Sequence, residues 1–148
     1  MMAACFIGLV GCISFGKTPT EFRQRASGTV EFSTPLALRP TYEIIKINTE
    51  RCQTGDAGKA DLQALGRFTM DTTNLTAETN IDEASGSATI DVRFRNVAAN
   101  TLMQDIVLTA GAGGTHVIIY KLNDKEKWTT AALAVQGWLS GETACYKR

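Results

Sequence analysis

The side chains that could perform acid–base or nucleophilic chemistry are few in this sequence. Its 148 residues include one histidine, His116. A general base needs a partner that orients it and a substrate proton within reach, and the residues beside His116 in the sequence supply neither. A hydrolase would need the fold to place His116 in a cleft beside a nucleophile and a carboxylate. The sequence therefore predicts a non-enzymatic protein in which His116 is a polar residue of an edge strand.

Metal and cofactor sites are not predicted either. A structural zinc site needs about four histidine or cysteine ligands, and too few remain if the cysteines are otherwise used. Gly111-Ala112-Gly113-Gly114 lies between two strand-like runs and lacks a lysine, which favours a hairpin turn over a phosphate-binding loop. The carboxylates lack the spacing of a calcium loop and are expected to be solvated on turns and strand faces. These are Asp82, Glu83, Asp91, Asp105 and Asp124.

The N-terminal segment resembles an export signal. Residues 1–10 are apolar and uncharged, and a hydrophobic stretch followed by small residues is typical of a secretory signal. Leu9-Val10-Gly11-Cys12 resembles a bacterial lipobox, which implies cleavage before Cys12 and a lipid on its thiol. No lysine or arginine precedes Lys17, so the basic start of such signals is missing. The alternative is a buried N-terminal element with a chance cysteine.

The remaining cysteines predict a crosslink. The sequence contains four cysteines. If Cys5 leaves with the signal and Cys12 takes the lipid, Cys52 and Cys145 remain. An even pair in an exported domain predicts a disulfide bond. The alternative, for a cytosolic protein, is two buried thiols that behave as small hydrophobic residues.

The clearest helical pattern lies near the C-terminus. Trp128, Ala131, Val135 and Trp138 recur at helical spacing, which places them on one stripe of a helix that packs on a sheet. The favoured interpretation is that this stripe belongs to the core. In the alternative, the small side chains leave room for an apolar ligand between helix and sheet. These four residues are therefore the candidate ligand or partner surface.

The elements around that stripe predict an α+β domain. Asn123 or Asp124 is expected to cap the C-terminal helix, and Gly141 is expected to end it in a left-handed turn. The expected domain spans 27–148, after a signal segment at 1–11 and a tether at 12–26. Strands followed by helices on one face form two layers. The upstream elements are a strand at 29–33, a helix from about 40 to 51, and strands at 65–70, 75–81, 88–95, 103–110 and 115–122.

This order resembles a known class of proteins. The first helix ending at Cys52, and the tail Trp138…Gly141…Cys145, are similar to small envelope lipoproteins of Gram-negative bacteria. The resemblance implies a helix-grip-like fold, with a curved antiparallel sheet of about five to six strands on a long C-terminal helix. It also implies one shorter helix after the first strand. A location in the cell envelope follows from the resemblance, but an activity does not.

Composition limits the partners. Lysine and arginine total 15, as do aspartate and glutamate, so no basic nucleic-acid-binding face is predicted. We expect a lipid-anchored, non-enzymatic accessory or interaction module, held at the membrane by Cys12 and facing an envelope protein partner. Ile13, rather than an aspartate, follows Cys12, which favours the periplasmic side of the outer membrane.

A second function class remains open from the sequence. It is a small protein that binds an apolar ligand or a lipid in a pocket between the C-terminal helix and the sheet. This alternative predicts an internal apolar cavity. The interaction module instead predicts an exposed apolar patch or an unpaired strand edge.

Overall fold

The computed structural model describes residues 18–54, 74–95 and 99–145. Its helices and strands alternate in a mixed order rather than in repeated strand–helix units, which is typical of an α+β domain. In chain order they are α1 (Pro19–Arg25), β1 (Gly28–Thr34), α2 (Leu38–Gln53), β2 (Asn74–Asp82), β3 (Ser87–Arg95), β4 (Asn100–Gly111), β5 (Gly114–Lys121) and α3 (Glu126–Leu139).

The described strands form one antiparallel sheet of five strands, in the order β1-β5-β4-β3-β2. Strands β2 to β5 follow one another as hairpins, and β1 pairs with β5. The predicted α+β class, antiparallel sheet and C-terminal helix are therefore confirmed. That helix has 14 residues, whereas α2 has 16, so the prediction that the helix after the first strand is the shorter of the two is wrong. The strand predicted at 65–70 lies outside the described residues.

The core lies between one face of this sheet and the helices α2 and α3, which contact each other. The strand registers align Val30, Ile119, Ile106 and Ile90 in a row across that face. The three isoleucines of this row are fully buried, because the helices cover them. Ile45 of α2 packs into the same core, together with Val135 and Trp138 of α3.

Helix α2 begins earlier than the sequence indicates. It starts at Leu38 rather than at Pro40, and it continues to Gln53. Pro40 lies in the first turn, where the missing N–H has no helical acceptor to lose, so the helix is not kinked or ended there. The buried residues Tyr42, Ile45 and Cys52 share one side of the helix, which faces the sheet.

Helix α3 begins later than predicted, at Glu126, with Lys125 as its N-cap. Asn123 accepts a hydrogen bond from the backbone N–H of Lys125 at 3.0 Å. The carboxylate of Asp124 accepts one from the ammonium of Lys121 at 3.2 Å. Neither predicted cap therefore bonds to an N–H of the first helical turn.

The end of α3 follows the prediction. Gly141 has a φ of +94°, in the left-handed region that favours glycine. Its N–H donates to the carbonyl of Trp138 at 3.1 Å, and the N–H of Glu142 donates to the carbonyl of Gly137 at 3.0 Å. This pair of bonds satisfies carbonyls that the last helical turn leaves free.

The disulfide between Cys52 and Cys145 is confirmed, with 5.3 Å between the two Cα atoms. It joins the last turn of α2 to the tail that follows α3. The same tail receives two further contacts. The guanidinium of Arg51 donates to the carbonyl of Thr143, and the indole N–H of Trp138 donates to the carbonyl of Ala144 at 3.4 Å.

The opposite face of the sheet carries α1, although residues 19–25 were expected to belong to a tether. The Thr18 side chain and Glu21 form a capping box at its start. Phe22 is buried, and Arg23 forms an ion pair with Asp105 of β4 at 2.5 Å. Because a helix of this length is unstable alone, these contacts explain why it forms. Within the described residues, no helix is long and apolar enough to span a bilayer.

Candidate functional site

The candidate site is the free edge of β1. One side of β1 pairs with β5 along its whole length, and no described residue pairs with the other side. An edge strand presents backbone N–H and C=O groups to which another strand can bond. Side chains alternate along it, so that Thr29, Glu31 and Ser33 are exposed on the face away from α2 and α3. The same face carries α1 at Asp105, but these three side chains are exposed, so we call the part of the face along β1 the open face.

A cleft lies beside this edge on the opposite face. It has a volume of about 250 Å³, and we call it the helix-side cleft. Phe32 and Leu36 line it from β1 and the following loop, while Gln136 and Leu139 line it from α3. Phe32 and Leu139 are partly buried against the core. The cleft therefore has a lining of mixed polarity, with Phe32 and Leu139 as apolar contacts, and it opens beside the strand edge.

A second cleft, of about 170 Å³, lies at the end of β1 next to the β4–β5 hairpin. We call it the open-face cleft, because Ser33 and His116 of the open face line it. It shares Ser33 and Thr34 with the helix-side cleft. The C-terminal end of β1 is therefore flanked by a cleft on each face of the sheet.

Three polar side chains meet at the open-face cleft. The Nδ1 atom of His116 lies 3.2 Å from the Oγ atom of Ser33. Its Nε2 atom lies 3.0 Å from a carboxylate oxygen of Glu31. Ser33 and His116 are direct partners across β1 and β5. Because β5 lies between β1 and β4, the prediction that His116 belongs to an edge strand is wrong. The fold thus gives His116 the nucleophile and the carboxylate that its sequence neighbours do not provide.

This triplet has the residue types of a serine hydrolase but a different setting. In a catalytic triad the acid is buried, so that it holds the imidazole in one orientation. The Glu31 side chain is 58% exposed, and that of His116 is 40% exposed. Ser33 lies within a regular strand rather than on a strained turn. The arrangement is better suited to polar recognition beside a strand edge than to activation of a nucleophile.

Gly114 fixes the geometry of the hairpin beside this site. Its φ of +133° is one that L side chains rarely adopt, and a Cβ there would overlap the carbonyl oxygen of Thr34. The predicted hairpin over 111–114 is confirmed, with Gly111 opposite Gly114. Close approach of this turn to the end of β1 brings the walls of the open-face cleft together.

A pair of buried carboxylates lies under α1. Asp91 and Asp105 are directly opposite each other across β3 and β4. Both are buried, so the expectation of solvated carboxylates is wrong at these two positions. Burial, and next the negative charge of Asp105, raise the pKa of Asp91 to about 6, against the opposing effect of Arg93. Arg93 lies 3.2 Å from Asp91 and 2.8 Å from Glu78.

The four residues named as a candidate ligand or partner surface lie in the interior. Trp128, Ala131, Val135 and Trp138 are all at most 6% exposed. None of them lines either cleft. A partner at the surface therefore does not contact them, while an apolar ligand between helix and sheet stays a prediction. Cys12, the predicted lipidation site, lies outside the described residues.

Within the described residues, no group of three or more histidine, cysteine, aspartate or glutamate side chains could hold a metal ion.

Comparisons of the chain with protein families, with curated proteins and with solved structures find no match. The fold and the site therefore define the class of this protein by its architecture. It is an α+β domain with a disulfide between α2 and the C-terminal tail and, among the described residues, an edge strand β1 without a second partner strand, between two clefts.

Proposed function

We propose that this protein is a non-enzymatic interaction module of the bacterial envelope, which binds a protein partner at the edge of β1. The single observation that carries the proposal is this free edge, flanked by a cleft on each face. Unpaired edges are usually shortened, charged or covered, because they invite pairing with other chains. This edge instead contains one charged residue, Glu31, within seven residues.

The anchor belongs to the same proposal. Residues 1–11 are removed as a signal, Cys12 carries a lipid, and the domain faces the periplasm from the outer membrane, as in small Gram-negative envelope lipoproteins. The disulfide between Cys52 and Cys145 supports an oxidising compartment. A membrane anchor raises the local concentration near membrane-bound partners, so a small contact surface suffices. The helix-grip-like shape, with a long C-terminal helix and a further strand at 65–70, is proposed with it.

Crosslinking in intact cells tests the binding surface. A photoreactive amino acid at Thr29, which is exposed on β1, is expected to form a crosslink with an envelope protein. The matched control is the same amino acid at Glu50, which is exposed on α2. Mass spectrometry identifies the crosslinked partner. Crosslinks that form equally at both positions, or at neither, would contradict a binding surface at β1.

Mass measurement of the mature protein tests the anchor separately. A diacylglyceryl group on Cys12, with the preceding residues absent, is the expected result. A mature protein that retains Met1 would remove the envelope from the proposal. It would leave the binding surface of β1 to be judged by crosslinking alone.

Hydrolysis is the second candidate function, and the contacts of His116 with Ser33 and Glu31 favour it. A fluorophosphonate probe, which reacts with activated serines, distinguishes it from the main proposal. The interaction module predicts no labelling of Ser33 above that of a buried or unactivated serine. Labelling that is lost in Ser33→Ala and strongly reduced in His116→Ala would establish the hydrolase and contradict the non-enzymatic assignment.

A further inference from the structure

The chemistry of the β1 edge indicates what kind of partner it accepts, and this step rests on the proposed function. A strand added beside β1 would bond to its free N–H and C=O groups. Its side chains would then alternate between the two faces of the sheet. On one face they would enter the helix-side cleft beside Phe32. On the other they would lie beside Glu31 and Ser33.

The two faces differ in what they attract. Phe32, Leu36 and Leu139 form the apolar part of the lining of the helix-side cleft, and polar residues such as Thr34 and Gln136 form a part of similar extent. Apolar side chains are therefore favoured where they lie against Phe32 and Leu139. The open face next to the edge carries the Glu31 carboxylate, which is more than half exposed. Opposite charges on directly facing residues of neighbouring strands stabilise their pairing. A cation on the added strand opposite Glu31 is therefore favoured.

We propose that the partner is an extended peptide segment that adds to β1 as a further strand of the sheet, with apolar side chains in the helix-side cleft and a lysine or arginine opposite Glu31. Strand β2 is the other edge of the described sheet, but its residues line neither cleft. The pairing provides affinity through the backbone, and the alternating side chains provide selectivity.

Selection from a phage-displayed library of random ten-residue peptides tests the proposal on the folded, disulfide-bonded protein. The expected consensus has apolar residues at every second position and a basic residue between two of them. Amide exchange of the complex is expected to show new protection confined to backbone groups of Gly28–Thr34. Failure to enrich any peptide, or a consensus with helical spacing, would overturn the proposal.

A substitution at the mouth of the helix-side cleft, with a matched control on the same helix, tests whether the peptide occupies that cleft. Gln136→Trp fills the mouth of the helix-side cleft from an exposed position, and we expect it to weaken the selected peptide by about tenfold. Leu133→Trp is the control, because Leu133 is exposed on the same helix and lines neither cleft. Unchanged unfolding temperatures establish that both variants fold. Equal binding by both variants would contradict occupation of the cleft.

Charge reversal tests the other face. Glu31→Lys is expected to weaken a peptide with a basic residue by about fivefold to tenfold and to improve its acidic counterpart. Glu50→Lys on α2 should change neither. If Glu31→Lys leaves both peptides unaffected, the basic residue is not opposite Glu31 and the proposal fails.

Other outcomes separate this inference from the proposed function. Crosslinks from Thr29 in cells without selection of any peptide would leave an interaction module whose partner docks through a folded surface, and would overturn strand addition. Concentration-dependent dimerisation that Gln136→Trp abolishes would assign the edge to a second copy of the chain. That result would also overturn a heterologous peptide partner.

Discussion

At the scale of single residues, Asp91 and Asp105 place two buried carboxylates directly opposite each other in the sheet. When two buried carboxyl groups face each other, ionisation of both raises the free energy of the folded state. The guanidinium of Arg23 is bound to Asp105, and Arg93 is shared between Asp91 and Glu78. Asp91 is thus the member of the pair whose ionisation opposes folding, as its raised pKa indicates.

The substitution Asp91→Asn should increase stability at neutral pH. The pKa of Asp91 is about 6 in the folded protein, against an ordinary value of 3.8 for this side chain. From about pH 4 to 6 the folded state therefore binds the extra proton. The Asp91 contribution to stability falls as the pH rises through this window, by roughly 2–3 kcal/mol in total. The amide removes that loss, so the variant should gain this amount at neutral pH.

Urea unfolding of wild type and Asp91→Asn, at neutral pH and at about pH 4, measures the effect. The gain should be fully present at the higher pH and much smaller at the lower one, where Asp91 is protonated in the folded state and partly protonated in the unfolded state. Asp105→Asn is the matched control, because it removes the negative charge that pairs with Arg23 and should destabilise the protein instead. Equal gains from Asp91→Asn at both pH values would contradict the assignment.

At the scale of elements, α1 is the shortest of the described helices. Its seven residues are too few for an isolated helix. Its position on the sheet depends on the buried Phe22, on the ion pair of Arg23 with Asp105, and on the contact of that guanidinium with the ring of Tyr120. The guanidinium lies 5.8 Å from the ring centroid.

Removal of the Arg23 charge should release α1 and destabilise the sheet beneath it. Arg23→Met keeps much of the apolar stem but leaves Asp105, whose side chain is fully buried, without its cation. Breaking a buried pair costs about 3–5 kcal/mol. Since the Arg23 side chain is 33% exposed, we expect about 2–3 kcal/mol.

Denaturant unfolding measures this loss, and amide exchange locates it in residues 19–25. Gln24→Met, at the neighbouring exposed position, is the control and should change stability by less than about 0.5 kcal/mol. The double variant Arg23→Met, Asp105→Asn should recover part of the loss. If Arg23→Met leaves the exchange of α1 unchanged, the ion pair does not hold the helix in place.

Short-range patterns predicted much of this fold, because they are determined by neighbours in the sequence. The alternation around Val92 predicted β3, and the glycines after Ala110 predicted the β4–β5 hairpin. Helix α1 was missed because Phe22 is its only buried residue, so no apolar period is visible. The contact of Ser33 with His116 spans 83 positions and depends on the register of β1 and β5, which alternation cannot specify. The polar face of β1 was the available signal.

At the scale of the whole molecule, the disulfide joins distant parts of the chain. Cys52 and Cys145 are 93 positions apart, and between them lie β2 to β5 and α3. The bond constrains the unfolded chain across nearly all of the sheet. Cys52 is buried at the end of α2, whereas Cys145 is exposed in the tail.

Loss of this bond should lower the free energy of unfolding by about 4–5 kcal/mol, on the chain-entropy account of crosslinks. The double variant Cys52→Ala, Cys145→Ser replaces each cysteine with a residue suited to its exposure. Thermal or denaturant unfolding with and without dithiothreitol measures the effect. The reductant should destabilise the wild type and leave the variant unchanged. A wild type that is insensitive to complete reduction would disprove the contribution.

If Cys12 carries a lipid as proposed, the early start of α1 would limit the height of the domain above the bilayer. In the proposed lipoprotein, five residues separate Cys12 from Thr18, where the capping box begins. A chain of that length reaches at most about 20 Å. Because α1 is docked on the sheet, only this short segment would connect the lipid to the domain. The domain would stay within that distance of the bilayer, and a partner of the β1 edge would have to bind it there. Release of α1 from the sheet would lengthen the segment between the lipid and the domain, so the domain could reach partners farther from its anchor.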